Sequence, residues 1–350
     1  MITFILKRLL YGLGVMLGVT VIVFFLFNGL ADPARLTQGQ NTNVQTLENI
    51  KKELGLDKPL MTQFAYYLND VSPISIYENN DTNKEKYKYI TICTTAGKAL
   101  VLKKPYLRSS YQSKRPVWDM LADALPYTLL LGFTAMFLAT LLGVALGIVA
   151  ALKHRTFTDN AILFGSVLGI SQPSYFSGIL LALVFGFWLR HFTGLDYTGS
   201  LYEYSDLGER YFNLKSLVLP ALALGIRPVA IIMQLTRSAM LDVLSQDYIR
   251  TAYAKGLSQY VVLTKHALRN ALNPVVTAIS GWVVSVLTGA YFIEIIFDYK
   301  GMGYMTVKAL ENFDFPVAMG AILFAAAIFI LVNIITDILY GWLDPRISIE

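Results

Sequence analysis

With 350 residues, 55% of them hydrophobic and only 15% charged, and a mean hydropathy of +0.51, the chain is too apolar for a soluble domain of this size. A net charge of +5 spread along the chain argues against a nucleic-acid surface and suits a membrane protein with basic inner ends. The single cysteine, Cys93, excludes an internal disulfide and a thiolate metal cluster built within one chain, and reads as a small, semi-buried apolar residue.

A helix needs roughly 20 apolar residues to cross about 30 Å of hydrocarbon. Runs at 9–31, 124–152, 160–189, 270–293 and 315–336 meet that length, and one at about 216–236 meets it despite the interruption by Arg227 and Pro228. The expected fold is an all-α integral membrane protein with six transmembrane helices. Lys7 and Arg8 imitate the start of a secretory signal, but the run after them is long and lacks a small-x-small cleavage site, so a retained anchor is expected. Basic residues set the orientation. With the N-terminus inside, inner segments hold Lys7, Arg8, Lys153, Arg155, Arg237, Arg250, Lys255, Lys265, Arg269 and Arg346. The two short outer connections then hold Arg190, Arg210, Lys215, Lys300 and Lys308, so both termini are expected in the cytoplasm.

The chain divides into an N-terminus with the first helix (1–31), a long outer loop (32–118), a core of five helices (119–343) and a tail (344–350). In the loop, Leu47, Ile50, Leu54 and Leu56 beside Lys51, Lys52 and Glu53 predict a short amphipathic helix, ended by Gly55 and followed by Pro59. The stretch at about 75–105 is rich in Tyr, Asn and Lys, and the run from Tyr87 to Thr95 has the partial alternation of a strand. A small outer cap is expected there, either a passive insertion on the rim or a surface that contacts a partner. Within the spans, Gly14 with Gly18 and Gly143 with Gly147 have the small-xxx-small spacing that lets helices pack closely.

Between the spans at 216–236 and 270–293 lies a basic inner loop, 238–273, that reads as a docking handle. Tyr248 to Lys255 predicts a short helix with Ala252 and Gly256 one turn apart, so that a partner's backbone can come close, and Gly256 is placed to end it as a left-handed cap. A second helix, from about Gln259 to Asn270, is expected to run on into the fifth span. Arg227 is an ionised residue near mid-span, which costs at least about 2.5 to 3.5 kcal/mol unless it faces protein or water. It therefore points inward to the pathway, pairs with an acid such as Glu294, or snorkels where Pro228 breaks the helix. His154, His191 and His266 are scattered and stand beside no convincing Ser or Asp, so no catalytic or metal role is assigned.

Several patches, in one order along the chain, carry a family resemblance: Asp32-Pro33, GLDKP at Gly55 to Pro59, LPYTLLLG at Leu125 to Gly132, TRSAML at Thr236 to Leu241, QDYIRTAYAKGLS at Gln246 to Ser258, LRNALNP at Leu268 to Pro274, and DPRI at Asp344 to Ile347. The chain thereby resembles the transmembrane subunit of a binding-protein-dependent ABC importer, of the first permease type in the dipeptide and oligopeptide branch. The resemblance implies a type I importer permease fold in a bacterial inner membrane. It also implies a second permease subunit, two ATPase subunits that bind ATP and magnesium, an extracytoplasmic substrate-binding protein and a peptide cargo. A nickel complex, glutathione or another small solute is the alternative cargo.

The same resemblance makes Asp247, Tyr248, Arg250, Thr251, Ala252, Ala254, Lys255, Gly256 and Leu257 the loop that seats in the ATPase, with Thr251 where other branches have Glu. It places Arg227 and Glu294 on the translocation path. Glu294 to Gly303, EIIFDYKGMG, resembles an outer segment in which an acid and a Phe precede a Pro-Gly-x-Gly turn, with Lys300 in place of that Pro. Phe297, Gly301 and Gly303 then belong to an outer gate, the alternative being a simple surface turn.

Three other classes fit poorly. Nothing matches G-x-x-x-x-G-K-[ST], so this chain is not expected to hydrolyse ATP itself or to bind any cofactor. An intramembrane protease needs a Ser and His, or two Asp, within the spans, whereas Ser166, Ser171 and Ser174 have no such His and Asp337 stands alone. An ion-coupled carrier shows repeats and midplane acids that are not found here.

Overall fold

The computed structural model describes residues 2–30, 58–95, 97–199, 201–204 and 209–343. The expected amphipathic helix near 47–56, Asp32-Pro33, most of GLDKP and the DPRI tail lie outside the described residues. The chain divides into two compact units, residues 1–123 with 305–330 and residues 124–304 with 331–350.

The first unit is built on the N-terminal third of the chain together with residues 305–330. Helix α1 (Ile2–Leu30) presents Phe24 and Phe25, and these meet Phe64, and Phe24 also Tyr67, on α2 (Leu60–Val71) at ring distances of 5.1–5.5 Å. The spacing of Phe64, Tyr67, Leu68 and Val71 gives α2 one apolar face, which is why it folds as a helix. Strand β1 (Ile74–Glu78), helix α3 (Asp81–Tyr87), β2 (Ile90–Thr95) and β3 (Lys98–Leu102) follow. The strands form an antiparallel sheet in the order β1-β3-β2, with a bulge between Thr91 and Cys93. The strand expected over 87–95 is therefore real from Ile90 onward, but Cys93 is exposed, correcting the semi-buried reading.

One face of this sheet covers a polar cluster. Asp70 accepts from Tyr77 Oη at 3.3 Å and pairs with Arg108 at 3.4 Å, and buried Lys103 donates its ammonium to the Asp70 carbonyl. Tyr77 and Tyr87 stack at 4.3 Å, with the Lys103 ammonium 5.6 and 5.7 Å from their centroids. Burial pushes the Asp70 carboxyl up, and pulls the Lys103 ammonium down to about 8, each opposed by the charge of the other.

The second unit is helical apart from a short hairpin, β4 (Tyr202–Tyr204) and β5 (Arg210–Phe212). Its elements are α4 (Val117–Leu152, from residue 124), α5 (Phe157–Ser171), α6 (Ser174–Leu181) with a π segment over Ala182–Trp188, α7 (Arg190–Thr193), α8 (Lys215–Leu244), α9 (Asp247–Ala254), α10 (Gln259–Val261) with a π segment over Val262–Leu268, and α11 (Arg269–Ile296). Helix α12 (Met302–Glu311) follows the turn after α11, and α13 (Phe315–Leu343) is the last described element. Helix α8 is the hub, packed on α5, α6 and α11. The Gly143/Gly147 spacing does what it predicts: a Cβ on Gly143 would meet Ile232 at 2.8 Å and one on Gly147 would meet Thr236 at 2.6 Å. Gly14 and Gly18 have nothing within 4 Å of such a Cβ, so that pair makes no close packing here.

Among the described residues, four helices are long and apolar enough to cross a membrane, at Leu6–Asn28, Val117–Leu152, Lys215–Leu244 and Phe315–Ile338. The run expected as one span at 160–189 is instead bent by 111° between α5 and α6. Pro173 has no N–H to continue the helix and holds Gln172 in an extended conformation, φ −89° and ψ 138°. The run at 270–293 lies within α11, whose 28 residues reach about 42 Å. Pro228 does not break α8 as expected. The helix runs through it, because Leu224, Gly225 and Pro228 are buried in the packing around α8.

Candidate functional site

The handle expected in the 238–273 loop is α9, starting and ending one residue before the predicted 248–255. Gln246 enters it extended, and Asp247 sits in the first turn, where a carboxylate favours the helix dipole. Ile249 and Ala252 are buried against Ala151, Met240, Val262, Ala267 and Ala271. Ala252 is thus small for internal packing, which corrects its assignment to a partner-facing surface. The C-terminal end is a Schellman turn: Gly256 N donates to Tyr253 O at 2.9 Å and Leu257 N to Ala252 O at 3.3 Å. Gly256 has φ +76° and open space around it, so glycine is needed there for its backbone conformation and not for close approach.

What α9 exposes is Asp247, Tyr248, Arg250, Thr251, Tyr253 and Ala254, continued by Lys255 and Leu257. Tyr253 was not among the residues the sequence singled out. Asn270 donates to Tyr248 Oη at 2.9 Å, and Thr251 Oγ1 donates to Asp247 O at 3.0 Å. The second helix runs on as expected: Gln259 to Leu268 passes without a break into α11, so α9 hangs from the end of a long helix.

A buried ion pair that the sequence did not reveal stands near this handle. Arg237 donates to both oxygens of Asp159, at 2.6 and 2.8 Å, and its Nη2 lies 3.0 Å from His154 Nδ1. The Arg155 N–H adds a further bond to Asp159 at 2.9 Å. The bidentate geometry ties the start of α5 to α8. Arg237 lies in the TRSAML patch and Asp159 in the first turn of α5, 78 residues away, and spacing in sequence gives no hint that they meet.

At the other end of α11, Glu294 is fully buried. It accepts from Thr128 Oγ1 at 2.6 Å, Gly303 N at 2.7 Å and Tyr304 N at 3.0 Å, while Met302 N donates to Thr128 Oγ1 at 2.8 Å. Phe297 and Tyr299 are buried beside it, with Tyr299 Oη donating to Tyr127 O at 3.2 Å. Glu294 is therefore the anchor of the 297–304 turn and is no partner of Arg227, which corrects that pairing. Gly301 and Gly303 serve close approach: a Cβ on either would collide with Glu294 or with Tyr291. Lys300, standing where the family turn has Pro, donates to both oxygens of Asp298 at 2.8 Å and to Tyr304 Oη at 3.1 Å.

Arg227 is exposed on α8 and makes no hydrogen bond or ion pair among the described residues. No three His, Cys, Asp or Glu side chains gather at a metal-binding distance among them either.

Comparison with known proteins gives one consistent answer. Residues 143–349 match the family described as binding-protein-dependent transport system inner membrane component, and residues 1–132 match the N-terminal model of such membrane components. The dipeptide transport system permease protein DppB of Bacillus subtilis (strain 168) is 35% identical over 351 residues, covering 100% of this chain and 99% of that one. The probable D,D-dipeptide transport system permease protein DdpB of Escherichia coli (strain K12) is 34% identical, covering 98% and 97%. Among solved structures, inward-facing conformations of the MetNI methionine ABC transporter match at TM-score 0.51 and 14% identity, over 65% of this chain and 97% of that one, a likeness of fold. The chain belongs to the family of inner membrane components of binding-protein-dependent transport systems, as a permease subunit of an ABC importer.

Proposed function

We propose that this chain is one half of the translocation path of an ATP-driven peptide importer, coupled through α9 to separate ATPase subunits. The observation that carries this reading is the construction of α9. It is a short helix fixed on its inner face by Ile249 and Ala252, closed by the Gly256 turn, and left exposed on its outer face. A helix built that way moves as a rigid body and carries α11 with it, which is what a mechanical link requires. ATP binding draws two ATPase subunits together, each pulls one such helix, and the path turns from inside to outside.

In this reading six spans cross the bacterial inner membrane with both termini in the cytoplasm, the sixth being α11. A second permease completes the path, and an external binding protein delivers the cargo. The turn anchored by Glu294 closes the outer side, with Phe297, Gly301 and Gly303 as its packed base. The exposed, unpaired Arg227 attracts the carboxylate of a passing peptide. Peptide cargo is supported by the names of the full-length relatives.

The test is ATP-driven uptake of labelled di- to hexapeptides into proteoliposomes holding this chain with its co-purifying partners. Uptake that is lost in Gly256→Glu, with the complex still assembled, supports the reading. A complex that hydrolyses ATP but takes up no peptide rejects the cargo, and one that takes up peptide without ATP rejects the coupling.

A further inference from the structure

The three-stranded sheet has a second face that none of the described residues of the first unit covers. Side chains alternate along β3, with Ala99 and Val101 fully buried and Lys98, Leu100 and Leu102 exposed. Cross-strand register then defines rows on the exposed face. Ile74, Leu102 and Ile90 form one row, and Ile76, Leu100 and the Ile92–Cys93 bulge form the next. The last row, at the hairpin tip, carries Glu78 and Lys98. The six aliphatic side chains leave 37% to 71% of their surface in contact with solvent. A contiguous apolar patch of this kind marks a surface that meets something.

Charge and continuity select the occupant. Residues 58–116 carry ten Lys and Arg against four Asp and Glu. Exposed Lys98 stands on this face at the hairpin tip and exposed Lys104 follows β3 at the other end, whereas Lys86 lies over the Tyr87 and Tyr106 rings of the covered side. The apolar row also lies at the end of the sheet from which the chain enters the membrane. Leu102 is followed by Lys104, whose ammonium sits 3.8 Å above the ring of Trp118, in the first turn of α4, and Trp118 packs edge-on against Phe324 of α13. A Trp at the mouth of a membrane helix marks the headgroup level. Aliphatic side chains at the base, a polar tip and a basic surround match a bilayer surface with anionic headgroups.

We propose that the exposed face of the β1-β3-β2 sheet rests on the bilayer, with Ile74, Ile90, Leu100 and Leu102 entering the headgroup boundary and Lys98 and Lys104 meeting anionic lipid phosphates. The insertion is thereby held to the membrane beside the helices it joins.

Cys93, the only cysteine of the chain, lies on this face and serves as a native reporter. The complex, labelled there with an environment-sensitive fluorophore, is placed in nanodiscs containing phosphatidylglycerol or phosphatidylcholine alone and probed with iodide. The expected result is a blue-shifted emission and severalfold weaker quenching with phosphatidylglycerol. Both effects should shrink in phosphatidylcholine and be lost in the double variant Ile90→Asp with Leu102→Asp. Amide-exchange protection along β3 shows that the variant sheet still folds, since both positions are exposed. Quenching that is equally strong in both nanodiscs overturns the proposal. So does shielding that is independent of lipid and persists in detergent, or that appears only on adding the binding protein, because a protein partner then covers the face.

Discussion

The carboxylate of Glu294 occupies the space that a methyl group on Gly301 would need. The same carboxylate takes the backbone N–H groups of Gly303 and Tyr304, so the turn closes on the acid and the acid is sealed in by the turn. Gly301→Ala must therefore push Glu294 off its donors, leaving a buried charge and two amides unsatisfied. Its expected cost is about 2–4 kcal/mol, with Glu294→Ala similar. Melting of the purified complex, followed by tryptophan fluorescence, should fall by several degrees in both. A Gly301→Ala protein that melts like wild type would show that the turn does not depend on this contact.

Arg237 and Asp159 make the second buried contact on which the fold of the permease core leans. Both side chains are largely shielded, at 18% and 1% exposure, and the pair is bidentate. Removing one partner leaves the other charge without compensation, a loss of about 3–5 kcal/mol. Asp159→Ala and Arg237→Ala should each lower stability strongly, while the double variant should be milder than the sum of the two. A double-mutant cycle checks this: a coupling energy above about 1.5 kcal/mol is expected, and additive losses would mean that the pair is incidental.

The sequence is informative about what repeats locally and silent about what meets at a distance. The apolar runs mark the long helices, because crossing hydrocarbon requires length and composition and nothing else. The left-handed cap at Gly256 is legible because only glycine takes φ +76° without strain, and a helix of 8 residues precedes it. Gly143 and Gly147 are legible from spacing. By contrast, Ala252 and Glu294 look from composition like surface and pathway residues, and only the tertiary packing shows that one faces a core and the other a turn. Asp159 and Arg237 are 78 residues apart, so no local pattern joins them. Helix α2 was readable from Phe64, Tyr67, Leu68 and Val71, and the aromatic richness of the region obscured it. The bend at Pro173 was equally readable, and the apolar weight on either side hid it.

The Schellman turn after α9 predicts a rank order at Gly256. An L-residue in the left-handed region costs about 1–2 kcal/mol, less for Asn, whose side chain bonds locally. Space is open around the Cα, so size is not the issue. Peptide-stimulated ATP hydrolysis and uptake should therefore fall little in Gly256→Asn, more in Gly256→Ala and most in Gly256→Val. Equal loss across the three would instead point to steric exclusion by a docked partner.

The polar cluster under the outer sheet gives a pH dependence whose sign follows from linkage. Burial lowers the Lys103 ammonium from 10.5 to about 8 in the folded segment. Between those values the unfolded chain holds a proton that the folded one has released, so stability rises with pH from about 8 towards 10.5. Asp70 acts in the opposite sense. Burial raises its carboxyl above 3.8, so it removes stability as pH rises from that value. Tyr67, Tyr77 and Tyr87 are all raised above 10 by burial, so from about pH 10 the unfolded tyrosines ionise first and stability falls again. Amide exchange along β1 and β3, corrected for its intrinsic pH dependence, should become slower between pH 8 and 9.5, equivalent to about 1 kcal/mol. In Lys103→Met the rise should vanish and the exchange at pH 7.5 should already be slow, since the buried charge is gone and the aliphatic stem remains. A rise that persists in this variant would assign the titration to another group.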